Sequence, residues 1–171
     1  MKYSIGIDIG GTNTCFGLVN ENAEIIYQSA IKTKDFPVLE DYLTILVKQI
    51  KDLIAHCPEP ENILGVGIGA PNGNFYKGSI ELAPNLPFKG IIPMKNMLEM
   101  LLLNEGWNLK VVLTNDANAA GIGEMIYGGA KGINDFILIT LGTGVGSAIV
   151  SNGKMIYGHD GFAGEVGHTI V

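Results

Sequence analysis

The spacing of apolar residues along the chain predicts strands followed by a helix. Two short apolar, β-branched arms at 5–9 and 14–19 flank the pair Gly10-Gly11, a pattern typical of a β-hairpin, and residues 25–27 predict a third strand of the same meander. Between 39 and 54, apolar residues recur at helical spacing with charged residues on the opposite side. The chain therefore begins as an antiparallel meander that leads into an amphipathic helix.

The middle of the chain predicts further strands and helices in alternation. Residues 63–69 form a continuous apolar run bounded by turn signals, which predicts a strand covered on both faces. The stretch 70–87 is rich in Gly, Asn and Pro and predicts a structured loop, at a position where α/β proteins often hold ligands. A second helix is predicted over 94–103 and a second buried strand over 109–113.

A second glycine-rich hairpin is predicted over 136–150, with Gly142, Thr143 and Gly144 at its bend. Two such hairpins could face one polyphosphate. Neither bend is a Walker loop, because no Gly-Lys-Ser/Thr follows, and neither is a dinucleotide fingerprint, because a strand follows the glycines. The alternative is that two similar hairpins simply pack against each other. Asn152-Gly153 then predicts a tight turn into a returning strand.

The first bend has the chemistry of a phosphate site. Gly10 and Gly11 carry no Cβ, so the bend can take positive φ and an anion can approach its amides, while Thr12 adds a hydroxyl donor. Asp8 would face the phosphates as a carboxylate, which requires a divalent cation such as Mg²⁺ between them, held through water. An ordinary glycine-rich turn is the alternative, and the bend by itself does not decide between the two.

Polar residues after the strand 109–113 admit two roles. Asn115 and Asp116 precede an Ala-rich helix start, where either residue would serve as an N-cap. One residue suffices for capping, and a carboxylate beside a helix N-terminus is also placed to accept a proton from a substrate hydroxyl.

Further along, Glu165 and His168 are three residues apart and could converge in a helix or in a turn.

Composition and charge limit the kinds of protein and of binding partner that the sequence is compatible with. The 171 residues are 47% hydrophobic, which indicates a well-buried globular protein, and the net charge of -6 argues against non-specific nucleic-acid binding. Cys15 and Cys57 form no Cys-x-x-Cys pair, so we expect reduced, partly buried thiols in a cytoplasmic protein. Neither a signal peptide nor a membrane-spanning run is predicted.

Four motifs occur in a fixed order: Asp8-Ile-Gly-Gly-Thr, Asn115-Asp-Ala-Asn-Ala-Ala, Leu141-Gly-Thr-Gly-Val-Gly and Ala163-Gly-Glu-Val-Gly-His168. Together with Ala83-Pro-Asn-Leu-Pro they resemble the ROK family of bacterial sugar kinases, most closely its ATP-dependent glucokinases. The resemblance covers essentially the whole chain and implies an α/β fold of the actin-like ATPase (ribonuclease H-like) type. It implies a complete first lobe over 1–115 and the beginning of a second, incomplete lobe over 116–171.

The resemblance also implies roles for individual residues. Asp116 would be the general base on the sugar hydroxymethyl oxygen, and Asp8 would position Mg²⁺ through water. Sugar hydroxyls would be bound by Asn85, Asn115, Glu165 and His168. Phosphates would be bound by Asp8, Gly10, Gly11, Thr12, Gly142, Thr143 and Gly144. In the full-length family His168 matches a zinc ligand whose cysteine partners are missing here, so Zn²⁺ is expected only in a longer protein.

The reaction implied by the resemblance is transfer of the γ-phosphoryl group of ATP to the 6-hydroxyl of a hexose, with glucose first, as in glycolysis. N-acetylmannosamine, allose or fructose are alternative sugars, and a sugar-responsive transcriptional regulator or a non-catalytic sugar-binding module are alternative functions. The chain stops where the family continues with its zinc motif, adenine-binding segment and final helix. We therefore expect a fragment with little activity by itself, no nucleic-acid or membrane partner, and a homodimer when full length.

Overall fold

The structure is a computed structural model that describes residues 1–142 and 144–168, without the side chain of His168. Its strands are β1 (Tyr3–Ile9), β2 (Asn13–Asn20), β3 (Ile25–Lys32), β4 (Ile63–Ala70), β5 (Gly73–Asn74), β6 (Ser79–Glu81), β7 (Ile91–Ile92), β8 (Lys110–Asn115), β9 (Phe136–Leu141), β10 (Val145–Ser151) and β11 (Lys154–Met155). Its helices are α1 (Leu39–Ala55), α2 (Met94–Asn104) and α3 (Asp116–Ile126). Single 3-10 turns occupy Thr33–Asp35, Pro60–Asn62 and Val166–His168.

The main sheet has five strands in the order β3-β2-β1-β4-β8. β1 pairs antiparallel with β2, which sets Asp8 opposite Cys15, and parallel with β4, which sets Asp8 opposite Gly69. β4 in turn pairs parallel with β8, which sets Gly69 opposite Thr114. The carboxyl ends of β1, β4 and β8 therefore meet at one edge of the sheet, the place where ligands bind in open α/β sheets.

One face of the main sheet is buried beneath α1 and α2. Along β1 the residues at odd positions are buried and those at even positions are exposed, as the strand period of two requires. The fully buried side chains of the two helices that complete this core are Tyr42, Leu46, Ile50, Leu53, Met94, Leu98 and Leu102. This apolar burial is the main stabilising term of the fold, at about 25 cal/mol per Å² of apolar surface.

Among the described residues, α3 covers the opposite face of the sheet only near the carboxyl edge. A Cβ added to Gly69 would stand 3.1 Å from the Cβ of Ala119, so α3 lies directly on the end of β4. Farther from this edge the face is open, and Leu64 is 62% exposed. The prediction that residues 63–69 are covered on both faces is wrong, because an apolar run does not show how far a helix extends over the strand.

A second meander repeats the connectivity of the first. β9, β10 and β11 form an antiparallel sheet in the order β11-β10-β9. Asn152 and Gly153 join the last two strands with φ of 52° and 68°, as a type I′ turn requires, which confirms the predicted tight turn. The stretch 70–87, predicted as a structured loop, contributes strands to a small antiparallel sheet in the order β5-β6-β7. The absence of a side chain at Gly73 lets β5 approach the carbonyl of Thr114 at the end of β8.

The structure describes the environment of both cysteines and the length of the helices. Both cysteines are free thiols, and Cys57 is buried. Cys15 is exposed on the open face of β2, so the prediction that it is partly buried is wrong. Within 1–142 and 144–168, none of the helices combines the length and the apolarity that crossing a bilayer requires.

Candidate active site

A cleft of about 390 Å³ opens at the carboxyl edge of the main sheet, between the two glycine-rich bends. Its lining contains most of the residues predicted for the site: Gly10, Gly11, Asn85, Asn115, Asp116, Gly142, Gly144 and Glu165. These residues follow β1, β8 and β9 or lie in the loops after β6 and β11. The topology therefore brings both bends, an acid and several amide side chains to one place. Thr143 and the side chain of His168 lie outside the described residues.

The first bend is held closed by its own backbone and by the loop that carries Asn85. The N–H of Gly10 donates to the carbonyl of Asn13 at 2.9 Å. A Cβ on Gly11 would stand 2.6 Å from the carbonyl oxygen of Asn85. Neither glycine has positive φ, so the expectation of a left-handed bend is wrong. Glycine is required here by close packing and not by backbone conformation.

Gly142 and Gly144 of the second bend are less closely packed than the glycines of the first bend. The N–H of Gly142 donates to the carbonyl of Gly144 at 3.0 Å, and a Cβ on either glycine would meet no heavy atom within 4 Å. Gly146 is different, because a Cβ there would stand 2.6 Å from Oγ1 of Thr140 and 3.2 Å from the Cβ of Ala117. Gly146 thus lets the hairpin pack on α3, whereas Gly142 and Gly144 have no close neighbours at the position of a Cβ.

The N-terminus of α3 uses Asn115 and Asp116 in different ways. Asn115 is the N-cap, and its Oδ1 accepts the N–H of Ala117 at 2.8 Å. Oδ1 of Asp116 accepts the same N–H at 2.8 Å. Oδ2 of Asp116 accepts no hydrogen bond from the part of the chain that the structure describes, and Asp116 lines the cleft. Capping therefore leaves one carboxylate oxygen of Asp116 available.

Glu165 reaches the same place from the other end of the sequence. Nδ2 of Asn115 donates to Oε1 of Glu165 at 3.4 Å. The residues around Glu165 are tied to β10, since the hydroxyl of Ser147 donates to the carbonyl of Gly164 and accepts the N–H of Val166 at 3.4 Å. Asn115 therefore links the helix that carries Asp116 to the loop that carries Glu165.

Two predicted phosphate residues lie beside the cleft and not in its lining. Thr12 is exposed, and its carbonyl accepts the N–H of Thr33 at 3.0 Å. Asp8 lies on the open face of the sheet, near α3. The pKa of the Asp8 carboxyl is raised above its ordinary value, first because packing removes solvent from it and second because the Asp116 carboxylate is close. The carboxylates of Asp8 and Asp116 repel each other, and a cation bound between them would reduce this repulsion.

This corner of the site fits a magnesium ion better than a zinc ion. Mg²⁺ binds through one or two carboxylates and keeps several waters, and the carboxylate of Asp8 beside that of Asp116 offers that donor set. Zinc sites need three or four protein ligands. Among the described residues no three His, Cys, Asp or Glu side chains are grouped closely enough to hold a metal. The zinc expectation concerns His168, whose side chain is not described.

The sequence reasoning missed two polar residues that line the cleft, Asn72 and Thr140. Asn72 has φ of 52°, and its Nδ2 donates to the carbonyl of Glu81 at 2.9 Å, which fixes the start of the small sheet. The sequence feature that could have indicated Asn72 is a Pro-Asn-Gly turn directly after a predicted buried strand. Asn115 likewise follows a predicted buried strand. Thr140 is a polar residue in an otherwise apolar strand, one position before the Leu-Gly bend.

Comparisons with known proteins match nearly the whole chain. The sequence profile of the ROK family matches residues 4–171. The chain is 35% identical to a glucokinase of Halalkalibacterium halodurans over 176 aligned residues, which cover 99% of this chain and 50% of that protein. It is also 35% identical to a xylose repressor of Caldicellulosiruptor bescii, with 98% of this chain and 41% of that protein covered.

The fold matches solved structures of the same family. A ROK family glucokinase from Streptomyces griseus, crystallised with glucose and AMPPNP, superposes with a TM-score of 0.80 at 35% identity, covering 99% of this chain and 51% of that one. The chain therefore spans about half the length of these relatives. The likeness confirms the predicted α/β fold of the actin-like ATPase type. From its profile, its relatives and its fold, the chain belongs to the ROK family.

Proposed function

We propose that the protein transfers the γ-phosphoryl group of ATP to the 6-hydroxyl of a hexose, with glucose as the first candidate. The observation that carries the proposal is the meeting of two glycine-rich bends and the Asp116 carboxylate at one cleft. Phosphoryl transfer depends on positioning and on charge stabilisation more than on covalent chemistry, so these parts suit it. The likeness to the two bacterial glucokinases supports the same reaction.

In the proposed mechanism Asp116 is the general base. Its Oδ2 receives the proton of the 6-hydroxyl as the oxygen attacks phosphorus, while Oδ1 stays bound to the α3 backbone and fixes the carboxylate. Asn85, Asn115 and Glu165, which line the cleft, bind the other sugar hydroxyls. His168 has the same proposed role.

The phosphates are bound by backbone amides in the proposed mechanism. The first bend contributes Gly10, Gly11 and Thr12, and the second contributes Gly142, Thr143 and Gly144. The N–H groups of Gly10 and Gly142 donate to the carbonyls of Asn13 and Gly144, so these two residues would have to share or exchange those hydrogen bonds to bind a phosphate. None of the described residues that line the cleft is a lysine or arginine, so amides must serve where other enzymes use basic side chains. Asp8 would hold Mg²⁺ through water, and the ion would supply neutralisation of phosphate charge.

The proposal extends to the arrangement of the whole protein. Residues 1–115 form one lobe and 116–171 begin a second, and closure of the lobes over the cleft limits hydrolysis of ATP by water. The protein acts in cytoplasmic sugar metabolism as a homodimer. Zn²⁺ belongs to a longer protein that supplies further ligands to His168, and the 171 residues alone have little activity.

The proposal predicts that Asp116→Asn removes most of the activity in a coupled assay of hexose-dependent ADP formation. Loss of a general base typically lowers kcat by about 10²- to 10⁴-fold. The assay is run on the protein encoded by the complete gene, with glucose, N-acetylmannosamine, allose and fructose as acceptors. Asp41→Asn, an exposed residue of α1, is the matched control and should leave kcat unchanged. Turnover by Asp116→Asn at the parent rate would disprove the assigned base.

A sugar-responsive regulator is the second candidate, because the chain is 35% identical to a xylose repressor over 98% of its length. A regulator would bind a sugar without consuming ATP and would shift a specific DNA fragment in a gel. A non-catalytic sugar-binding module would bind a sugar and do neither. Calorimetric titration of the same sugars, combined with the kinase assay and a gel-shift survey, separates the three functions.

A further inference from the structure

Residues 157–165, which we call the strap, follow the second meander and end at Glu165, which lines the cleft. The strap is closed on itself by one backbone hydrogen bond, from the N–H of Ala163 to the carbonyl of Tyr157 at 3.0 Å. It contains no helix or strand. Its path is therefore set by what it contacts, and Glu165 is positioned only as well as the strap is held.

One side of the strap is bound by the hairpin between β5 and β6. Asn74 is fully buried, and its Nδ2 donates to the carbonyl of Asp160 at 2.9 Å. Its Oδ1 accepts the N–H groups of Tyr76 and Lys77 at 3.1 and 3.2 Å, which shapes the hairpin turn. The hydroxyl of Tyr76 donates to the carbonyl of Gly158 at 3.1 Å. Two side chains thus bind two carbonyls of the strap across more than 80 residues of sequence.

Ring stacking and close packing support these hydrogen bonds. The ring of Phe75 stacks on the ring of Tyr157, with centroids 4.2 Å apart and an interplanar angle of 5°. Gly161 has φ of +88°, and a Cβ there would stand 2.8 Å from Oδ1 of Asn74. The strap therefore lies directly on the buried Asn74 amide, with no space for a side chain between them.

The other side of the strap is bound by β10. The hydroxyl of Ser147 donates to the carbonyl of Gly164, next to Glu165. A Cβ on Gly164 would stand 3.0 Å from the carbonyl oxygen of Ser147. Glu165 comes directly after Gly164 and meets Nδ2 of Asn115 at 3.4 Å. The strap is thus held at Gly158 and Asp160 by the hairpin and at Gly164 by β10, and its carboxylate follows the last of these attachments.

We propose that Asn74 and Tyr76 are positioning residues that hold the strap and so place the Glu165 carboxylate beside Asn115. Neither residue lines the cleft. Their effect on sugar binding rests on the proposed function, in which Glu165 binds sugar hydroxyls. Their effect on the strap itself does not depend on a bound ligand.

The variants that test this role change single hydrogen bonds. Asn74→Asp keeps an oxygen that accepts the N–H groups of the turn but removes the donor to the Asp160 carbonyl. Tyr76→Phe keeps the ring and removes the hydroxyl that binds Gly158. Ser79→Ala is the matched control, because it removes a buried hydroxyl of the same hairpin that binds Glu81 and not the strap.

Hydrogen exchange measured by mass spectrometry tests the strap without ligand. In Asn74→Asp the amides of 157–165 should exchange about tenfold faster than in the parent, while the peptide over 73–81 stays within about twofold. Tyr76→Phe should give a smaller increase in the same peptide, and Ser79→Ala none. Equal strap exchange in Asn74→Asp and Ser79→Ala would overturn the inference.

Kinetics of the same variants in the protein from the complete gene test the consequence. Asn74→Asp should raise KM for the hexose about tenfold, with kcat and KM for ATP within about twofold, because Glu165 contributes binding in ground and transition states alike. In a Glu165→Ala background the same change should alter KM by less than about twofold. A fall in kcat at unchanged KM, or full additivity with Glu165→Ala, would overturn the inference. A parent without hexose turnover would refute the kinase proposal, and the exchange result would still decide the role of Asn74.

Discussion

Replacing Gly11 with alanine adds one methyl group where the first bend meets the loop of Asn85. The added Cβ would stand 2.6 Å from the Asn85 carbonyl oxygen and 3.1 Å from the Asn85 Cβ, whereas ordinary contacts begin at 3.4 Å. Both obstructing atoms belong to backbone or to the first side-chain carbon, so neither can rotate away. The bend or the loop must therefore shift by most of an ångström.

The size of the effect follows from this enforced shift. Overpacking of a tightly packed site typically costs about 1–3 kcal/mol, and in a chain of this length each kcal/mol lowers Tm by about 2–4 °C. For Gly11→Ala we expect a loss of about 2 kcal/mol and a Tm lower by about 4–8 °C. Gly142→Ala is the matched control, because its Cβ would meet no heavy atom within 4 Å and its φ is not left-handed. It should be neutral, or stabilise by up to about 1 kcal/mol through the unfolded chain.

The assay is urea unfolding at 25 °C followed by far-UV circular dichroism, with thermal melts of the same three proteins. A loss for Gly11→Ala with no loss for Gly142→Ala supports the packing argument, because the two variants make the same chemical change in similar bends. If both variants lost equally, the cost would come from alanine in a bend and not from contact with Asn85. If Gly11→Ala matched the parent, the close approach of the bend to the loop would be refuted.

Two further predictions concern pH. The folded pKa of Asp8 is raised by desolvation and by the charge of Asp116, so its ionisation destabilises the fold once pH passes the unfolded pKa of about 4. Asp8→Asn should raise Tm at pH 7, and the gain should vanish below pH 4; a gain that persists at pH 3 would contradict the electrostatic cause. Burial also raises the pKa of Tyr42, whose hydroxyl contacts that of Thr14 at 2.7 Å, so stability should fall as pH rises above about 10. Tyr42→Phe should cost about 1 kcal/mol at pH 7 and lose less Tm than the parent between pH 9 and 11; an equal loss would exclude Tyr42 as a cause.

The elements that the sequence predicted well are those whose signals are local. The helix predicted over 39–54 is observed at Leu39–Ala55. It was predictable because its signals, the apolar period and the prolines on either side, lie within the helix or close to its ends. The helix predicted over 94–103 is observed at Met94–Asn104 and is followed by Gly106, which has φ of +87°. Gly106 donates to the carbonyl of Leu103, and Trp107 donates to that of Leu102, the two bonds of a Schellman motif.

The features that the sequence could not predict depend on contacts between distant segments. Nothing local to Asn74 shows that its amide binds a carbonyl 86 residues away, because an Asn in a turn is explained by the turn alone. The same holds for Gly11, at which the sequence indicated a special position but suggested a positive φ that the bend does not have. Its need for glycine lies in the backbone of Asn85, in a loop far along the chain.

The order of Asn115 and Asp116 is dictated by the site and not by the helix. An aspartate at 115 would cap α3 as well as asparagine does, but it would set its charge against Glu165 in place of a donated hydrogen bond. An asparagine at 116 would keep the bond to the Ala117 N–H, but it would offer no anionic oxygen for the proton of a sugar hydroxyl. Helix propensity is indifferent to exchanging the two residues, whereas the hydrogen bond to Glu165 and the proposed proton transfer each require the order that is present.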